Sequence, residues 1–400
     1  MAPNAGLVHL KEYDIKDSNV ELIGTDLDHK VKYNSATAEP AWNDGRVGVE
    51  PGLIVWRIED FAVVPVPKDK YGQFFDGDSY IVLHSWKMGS KDKPESQKLG
   101  HDIFFWLGSK TSQDEAGTAA YKTVELDEFL HGAATQHREI QASPSDEFVA
   151  LFPRLTVRRG GIASGFRHVE EGQKEEVTTL LRVFKHAAAG RDSIVVLEVE
   201  PTWQSLDEGD VFVLDKGDKI WVWQGKKCSP MEKAKAAQVV HDMTLAKHVD
   251  VEVLAQNESR SRTVVSLLGG GDQTGDFHAA RPLGVSAAAA EHARPRRLFR
   301  LSDASGQLTF DLVKDGSSIS KSDLDGNDVF LFDDAGKEIW VWEGQGASRA
   351  EKAMWLRVAQ SYVRKLQSED DQSEAYLTPI AKVKEGNESV AFVKAIQAAA

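Results

Sequence analysis

A sequence pattern that occurs three times constrains the fold of this chain more than any other feature. Each copy has an apolar segment next to an aspartate, then a second apolar segment that ends in an aromatic residue, one further residue and a glycine. Alternating large apolar residues with little charge predict buried β-strands, and their recurrence predicts a repeated structural unit. The paired segments are FFDGDSYIVLHSW (74–86) with HDIFFWLG (101–108), LDEGDVFVL (206–214) with DKIWVWQG (218–225), and LDGNDVFLF (324–332) with KEIWVWEG (337–344).

A helix is predicted directly after the second strand of each copy. All three helical segments open with Ser-x-x-Glu, the capping box in which each side chain bonds a backbone N–H of the other residue. In every copy the glutamate lies nine residues after the last tryptophan of the preceding strand, which predicts the same geometry three times. The pairs are Ser112 with Glu115, Ser229 with Glu232, and Ser348 with Glu351.

A short strand and a short helix close each copy. The chain is therefore predicted to be α/β (α+β), with three modules that each have a mixed central sheet flanked by one long and one short helix. The segment before the third copy is rich in Gly, Ala and Pro, which is typical of a linker. We expect an N-terminal extension at 1–47, module 1 at 48–171, module 2 at 172–271, the linker at 272–294 and module 3 at 295–400.

Composition and charge disfavour several classes of protein. The formal net charge of −14 is unlike the basic field that nucleic-acid binding needs. Cys228 is the only cysteine, so an internal disulfide is impossible and a reducing compartment, the cytoplasm, is expected. We find no signal-peptide pattern and no apolar run near the roughly 18 residues of a membrane span. The sequence also contains no metal-hydrolase, phosphate-loop or nucleophile-elbow motif, so an enzyme is not expected.

The strand aspartate and the helix glutamate of each copy are candidates for metal binding. Taken singly, Asp78, Asp210 and Asp328 are typical turn residues, and the glutamates are explained by capping. Taken together, one carboxylate at the first strand and one just beyond the second can face each other. Two close carboxylates repel unless one is protonated or a cation lies between them. An irregular set of oxygen ligands suits Ca²⁺ better than Mg²⁺.

The same stretches resemble the gelsolin superfamily, and within it the three-domain severin and fragmin group of actin-severing proteins. The resemblance covers nearly the whole chain and is most specific in module 1. The segments that carry it are 43–86, 104–141 and 158–170, together with the leading segment 11–42.

The resemblance implies calcium-regulated severing of actin filaments and capping of their barbed ends by a monomeric protein. It also implies one calcium site in each module, with backbone carbonyls completing the carboxylate ligands. A second kind of site would be shared with actin. Asn327 stands where the other copies have glycine, and its restricted backbone sets module 3 apart. The implied ligands are Gly77, Asp78, Glu115 and Ile162 in module 1, Gly209, Asp210 and Glu232 in module 2, Asn327, Asp328 and Glu351 in module 3, and Asp127, Gly132 and Ala134 in the shared site.

The long helix of module 1 is the expected actin-binding element. Its apolar residues occupy more than one face, which is typical of a helix buried in its own module but also suits a helix that fills a groove on a partner. The resemblance places this helix in the cleft at the barbed end of actin. The candidate contact residues are Ala120, Tyr121, Val124, Asp127 and Phe129.

Clustered arginines suggest a further ligand. The resemblance implies polyphosphoinositide binding near the first cluster, although pairing with neighbouring carboxylates explains such arginines equally well. That cluster is Arg154, Arg158, Arg159 and Arg167.

Two other functions fit the same residues. The chain could cap barbed ends without severing, or it could be a calcium-binding scaffold that has no actin activity. Images of labelled filaments separate these readings, since only severing produces breaks along a filament.

Overall fold

The computed structural model describes most of the chain, and all structural statements here concern that part. The described residues are 35–88, 98–162, 178–185, 194–246, 248–279, 295–316, 319–369 and 378–397. Within them, no helix combines the length and the apolar character needed to cross a membrane.

One five-stranded arrangement occurs three times, as the repeat predicts. In each module the second strand lies at one edge, followed by the first, the third, the fourth and the fifth. All neighbours are antiparallel except the last pair, which is parallel. These strands are β1 (Gly52–Glu59), β2 (Ala62–Pro65), β4 (Ser79–Lys87), β5 (Leu99–Leu107) and β6 (Ala134–Ile140) in module 1, β8 (Thr179–Lys185), β9 (Ile194–Val199), β10 (Val211–Asp215), β11 (Lys219–Gln224) and β12 (Asp250–Ala255) in module 2, and β13 (Arg297–Ser302), β14 (Thr309–Asp315), β15 (Val329–Asp333), β16 (Ile339–Glu343) and β17 (Ile380–Lys384) in module 3.

A long and a short helix accompany each sheet, which confirms the predicted fold class. Each long helix begins directly after its capping serine, and Pro230 occupies a first helical position, where its missing N–H costs no hydrogen bond. The long helices pack on the central strands of their own sheets. The helices are α1 (Gln113–Phe129) and α2 (Asp146–Ala150) in module 1, α3 (Pro230–Ala246) and α4 (Arg262–Leu267) in module 2, and α5 (Arg349–Glu369) and α6 (Val390–Gln397) in module 3.

The central strands are apolar on both faces because both faces are covered. In β4, Ile81 and Leu83 lie in one hydrophobic core of module 1, and Tyr80 and Val82 lie in another. The same alternation occurs in β10 and in β15. This burial explains why the strand segments read as nearly continuous apolar runs rather than as alternating ones.

Backbone pairing extends the sheets across module boundaries. An antiparallel pair of β6 with β17 joins modules 1 and 3 into a ten-stranded sheet. Two further strands of module 1, β3 (Gln73–Phe75) and β7 (Leu155–Arg158), pair with each other, and β7 pairs with β9 of module 2 to form a seven-stranded sheet. The repeat did not predict either junction, because both lie between copies.

Packed structure continues into two segments that the sequence assigned outside the modules. Trp42 of the extension is buried in the core of module 1, in edge-to-face contact with Trp56. Its Nε1 donates to the buried carboxylate of Glu125 in α1 at 3.0 Å. Phe277, assigned to the linker, is buried in the core of module 2, and its carbonyl accepts from the backbone N–H of Glu208 at 2.9 Å. Composition alone could not reveal these single aromatic anchors, and we propose that module 2 extends at least to Phe277.

A buried histidine lies at the junction of modules 1 and 3. His137 of β6 stands opposite Ala381 of β17 and makes an edge contact with Trp340. Its Nε2 lies 3.2 Å from Asp102, and its Nδ1 lies 3.7 Å from Glu338 of module 3. Burial acts to lower the pKa of His137, but the two carboxylates outweigh it and raise the pKa to about 10. The imidazole is therefore a cation paired with Asp102, while burial raises the pKa of the neighbouring Glu338 to about 8.

Replacing this cation should weaken the contact between modules 1 and 3. We expect His137→Gln to cost the junction roughly 3 kcal/mol, because it leaves buried carboxylates without their partner. Small-angle scattering without calcium should then give a larger radius of gyration than for the wild type. His84→Gln is the matched control, since His84 also faces Asp102, at 3.8 Å, but lies in module 1 away from β17.

The contribution of His137 should also depend on pH in a defined direction. It is complete below the ordinary histidine pKa of 6.5 and declines as the pH rises toward about 10. Glu338 loses its proton near its raised pKa of about 8, so the decline in the difference between wild type and His137→Gln should appear above that pH. A difference that does not decline as the pH approaches about 10 would contradict a protonated His137.

Candidate metal sites and the long helix of module 1

The three strand aspartates share one backbone frame. In each copy the glycine directly after the fourth strand (β5, β11 or β16) donates its N–H to the backbone carbonyl of the strand aspartate. A Cβ on that glycine would lie under 3 Å from this carbonyl oxygen, so only glycine allows the approach. The donor–acceptor pairs are Gly108 to Asp78 at 3.0 Å, Gly225 to Asp210 at 3.0 Å, and Gly344 to Asp328 at 3.1 Å. The aromatic-x-Gly motif is thus explained by the loop that it holds.

In module 1 a glycine-rich segment closes over the strand aspartate. The buried carboxylate of Asp78 accepts from the backbone N–H of Ile162 at 2.9 Å and from the Tyr80 hydroxyl at 3.2 Å. A Cβ on Gly161 would lie 2.3 Å from Asp78 Oδ1, and one on Gly77 would lie 2.5 Å from the carbonyl oxygen of Gly160. These glycines leave room for backbone against the carboxylate. The structure brings Ile162 to Asp78 through its N–H, and a role for its carbonyl stays a prediction.

Electrostatics in module 1 favours a cation between its two acids. Burial raises the pKa of Asp78, the Ile162 N–H and Arg57 oppose this, and the charge of Glu115 raises it further. The nearest guanidinium nitrogen of Arg57 lies 3.5 Å from Asp78, while Arg57 bonds Glu59 more closely. Glu115 Oε2 accepts from Thr111 at 3.2 Å and from the Ser112 N–H at 3.4 Å, so its capping bonds are long. These residues fit a hard cation with oxygen ligands.

The arginine of module 2 lies closer to its strand aspartate than the arginine of module 1 does. Arg182 of β8 and Asp210 are both buried, and Nε and Nη2 each lie 2.6 Å from Asp210 Oδ2. Both oxygens of Glu232 accept backbone N–H bonds, from Lys185 at 2.8 Å and from Ser229 at 2.7 Å. In this arrangement the carboxylates of module 2 do not fit a calcium ion, because a guanidinium already neutralises Asp210.

Module 3 repeats this pattern with a more exposed arginine. Nη2 of Arg300 lies 2.5 Å from Asp328, but the arginine side chain is 42% exposed. Glu351 accepts from the backbone N–H groups of Asp303 and Ser348 at 2.8 and 2.9 Å. Asn327 bonds Asp325 in the loop, at 3.0 Å from its backbone N–H.

Sequence reasoning missed the arginines of these sites. Each arginine lies in the first strand of its module. In every module it pairs across the sheet with the residue two positions after the strand aspartate. The signal was present, since the separation of arginine and aspartate is 28 residues in modules 2 and 3. The arginines are Arg57, Arg182 and Arg300.

The candidate shared site at Asp127 is covered by module 3. The buried carboxylate of Asp127 accepts from the Ala134 N–H at 3.0 Å and from Gln136 at 2.7 Å, and Nζ of Lys384 lies 3.5 Å away. A Cβ on Gly132 would lie 2.6 Å from that same Nζ. Burial acts to lower the pKa of Lys384, but Asp127 and other acids outweigh it and raise the pKa. The ammonium group of Lys384 therefore lies beside Asp127, where the resemblance implies a calcium ion.

The long helix α1 leaves part of one face open. Tyr121 is 53% exposed, whereas Ala120, Val124 and Phe129 are half-buried. On another face Lys122 bridges Glu39 of the N-terminal extension, at 2.6 Å, and Glu125, at 2.9 Å. The open part of α1 therefore includes Tyr121 and is bounded by the extension.

The described arginines of the candidate phosphoinositide cluster are all paired with acids of module 2. Arg154 lies 2.7 Å from Asp242, Arg158 lies 2.6 Å from Glu198, and Arg159 lies 2.7 Å from Glu200. Arg167 lies outside the described residues. This arrangement agrees with the alternative of ion pairing, and lipid binding stays a prediction.

A further cluster near module 2 was not anticipated. Glu208, Asp276 and His278 each place one ligand atom within 4.8 Å of the others. Lys226 contacts both acids and Lys227 contacts Glu208, and together they lower the pKa of Glu208 to about 2. Two ammonium groups already neutralise this cluster.

Comparisons with known proteins agree with the repeated module. A family model described as the Gelsolin repeat matches residues 60–149 and 192–265. Gelsolin-like protein 1 of Lumbricus terrestris is 38% identical over 396 residues, which is 98% of this chain and 99% of that protein. Severin of Echinococcus granulosus is 34% identical over 390 residues, 94% of this chain and 99% of that protein. Gelsolin of Gallus gallus is 35% identical over 334 residues, 80% of this chain but 40% of that protein.

Three copies of one five-stranded arrangement, each with a long helix that opens with the same capping box, define a multi-module protein of the gelsolin type. The chain belongs to the gelsolin family, as its near full-length similarity to these relatives shows. The family model does not cover module 3, whose strand order nevertheless repeats that of the other two modules.

Replacing the module 1 glutamate tests its metal-binding role. We expect Glu115→Gln to weaken calcium uptake by at least about tenfold, since it removes one charged ligand while an amide oxygen can still accept the capping bonds. Calorimetric calcium titration of the full chain measures this change. Asp114→Asn is the matched control, because Asp114 is an exposed acid in the same helical turn. Equal losses in the two variants would contradict a specific ligand.

Proposed function

We propose that this chain is a calcium-dependent, cytoplasmic actin-binding protein that severs filaments and caps their barbed ends. The observation that carries the proposal is the end-to-end match with a relative called severin, 99% of whose length aligns with this chain. A match of that extent means that all three modules have counterparts in the relative. The open part of α1 and the covered Asp127 supply a physical route from calcium to actin.

Module 1 would bind actin through α1. The helix is rigid, since its buried side sits on β4 and β5 and a second side is held by the N-terminal extension. A preorganised helix binds a groove with less loss of conformational entropy. Tyr121 is the anchor that such an interface needs, a large aromatic side chain already exposed on the open face. A helix lodged in the cleft at a filament's barbed end would block subunit addition.

Module 3 would restrain module 1 when calcium is low. Lys384 contacts Asp127 at the end of α1, and His137 lies between Asp102 and Glu338 at the same junction. Calcium can shift an equilibrium only between states that it binds unequally. A site that uses Asp127 cannot form while Lys384 holds that carboxylate. Calcium therefore favours the arrangement in which β17 has left β6.

Severing would need both modules 1 and 2. Module 2 would hold the side of the filament and bring module 1 to its target, since linked binding surfaces raise the effective concentration of the second contact. Capping needs only the contact of module 1 with the terminal subunit. The balance between the two activities thus depends on how well module 2 engages filaments.

Imaging of individual filaments tests the proposal directly. Labelled, preformed filaments are mixed with the protein in calcium and in chelator and followed by fluorescence microscopy. Breaks along filaments in calcium, together with arrested barbed-end growth, are expected. Arrested growth without breaks would leave a capping protein, and no change in either would leave a calcium-binding scaffold.

The exposed tyrosine of α1 should carry much of the actin affinity. We expect Tyr121→Ser to weaken binding to actin monomers by roughly tenfold, or about 1.4 kcal/mol, the scale of an aromatic interface anchor. Fluorescence titration of labelled actin monomers in calcium measures the change. Leu312→Ser is the matched control, because Leu312 is 52% exposed but lies on β14 of module 3. A similar loss in the control would remove the assignment of α1.

Asp127 and Lys384 should respond to substitution in opposite directions. We expect Lys384→Gln to lower the calcium concentration needed for actin binding about fivefold, since it removes a partly buried ion pair worth roughly 1 kcal/mol. Asp127→Asn should weaken actin binding at saturating calcium, since it removes the proposed ligand. Lys382→Gln is the control for the first change, because Lys382 pairs with Glu343 inside module 3. Actin titrations at several calcium concentrations separate these effects.

A further inference from the structure

We propose that module 2 carries its own cation, with the guanidinium of Arg182 holding the place that a calcium ion would take at Asp210. Module 2 then takes up no calcium at its strand aspartate, and calcium acts through the other modules. The inference rests on the calcium regulation proposed above and concerns which modules respond to it.

The contact between Arg182 and Asp210 is close and dry. Two guanidinium nitrogens lie 2.6 Å from one carboxylate oxygen, and the exposed fractions of the two side chains are 1% and 0%. An arginine keeps its charge at any pH that the folded protein tolerates. The carboxylate is therefore neutralised permanently by a group that cannot diffuse away.

Aromatic rings border the guanidinium of Arg182 in this buried site. Its guanidinium carbon lies 5.6 Å from the ring centre of Phe184 and 5.7 Å from that of Phe212. Its Nη2 also donates to the carbonyl of Ala279 at 3.4 Å. A calcium ion at Asp210 would have to share this space with a buried positive charge or separate it from its carboxylate. Separating a buried ion pair would weaken calcium binding by at least roughly a hundredfold.

The second carboxylate of module 2 is also engaged. Glu232 accepts one backbone N–H on each of its two oxygens, from Lys185 and from Ser229, at 2.8 and 2.7 Å. The bond from Lys185 ties the start of α3 to the end of β8, the strand that carries Arg182. A metal ion would have to compete with short bonds at both acids.

The other modules provide internal comparisons. In module 1 the nearest nitrogen of Arg57 is 3.5 Å from Asp78, and this arginine bonds Glu59 at 2.7 Å. In module 3 Arg300 is close to Asp328 but is 42% exposed, so its charge can move into water when a metal ion arrives. Calcium affinity at the strand aspartates should therefore fall from module 1 to module 3 to module 2.

Calorimetric titration of the full-length chain with calcium chloride tests this order. Asp78→Asn should take up one calcium ion fewer than the wild type, whereas Asp210→Asn should take up the same number. Folded Arg182→Gln should take up one more ion than the wild type, because Asp210 is then released. Circular dichroism of each variant establishes that it is folded.

Hydrogen exchange of the wild-type chain provides a test that needs no variant. The amides of Lys185 and Ser229, which are held by Glu232, should exchange at the same rate with and without calcium. The amide of Ile162, which is held by Asp78, should change its rate when calcium binds.

Three outcomes would overturn the inference. Loss of one ion in Asp210→Asn, as in Asp78→Asn, would show that module 2 binds calcium, and the calcium regulation itself would stand. Calcium-dependent exchange at Lys185 and Ser229 equal to that at Ile162 would lead to the same conclusion. A wild-type chain that takes up no calcium would overturn both this inference and the proposed regulation.

Discussion

A carboxylate buried at the start of a strand needs a positive charge beside it, and much of this molecule follows from that requirement. The loop that carries each strand aspartate is held by a glycine N–H, and all three aspartates are buried. The three modules meet the requirement in different ways. Arg182 is buried 2.6 Å from Asp210, and Arg300 lies 2.5 Å from Asp328 with a side chain that is 42% exposed. The nearest nitrogen of Arg57 is 3.5 Å from Asp78. One repeated backbone can therefore hold both a permanent and an exchangeable cation.

The two junctions of module 1 differ in chemistry. Toward module 2 it shares a hydrophobic core, in which Phe74 and Phe148 lie in the same cluster as Phe184 and Val195. Pairing of β7 with β9 and ion pairs such as that of Arg154 with Asp242 accompany this core. Toward module 3 it relies on backbone pairing of β6 with β17 and on ion pairs such as that of Asp127 with Lys384. Apolar contacts respond little to ionic conditions, whereas ion pairs respond to charge, salt and metal ions. Because Asp127 is a proposed calcium ligand, the junction with module 3 is where a calcium ion would compete directly with an ion pair.

Sequence reasoning recovered what repeats within a module and missed what lies between modules. The capping boxes at Ser112, Ser229 and Ser348 gave the helix starts because a cap is a local interaction that sequence spacing records. The carboxylate pairs rest on the same kind of spacing, and their role in metal binding stays a prediction. The first-strand arginines were missed because pairing across a sheet depends on register rather than on sequence distance. Lys384 and Asp127 are in contact although they lie 257 positions apart in the sequence, and no local pattern encodes such a contact.

Strand β6 is an interior strand of the ten-stranded sheet. It would become an edge strand if β17 separated from it, as proposed for the calcium-bound protein. A bare edge offers open N–H and C=O groups to any other chain and is a common start of unwanted sheet growth. The residues of β6 that face β17 are Gln136, His137 and Arg138, and Lys382 stands on the opposing strand. Charged and polar side chains along both strands would repel a second copy. These side chains would thus protect both exposed strand edges from aggregation once modules 1 and 3 had separated.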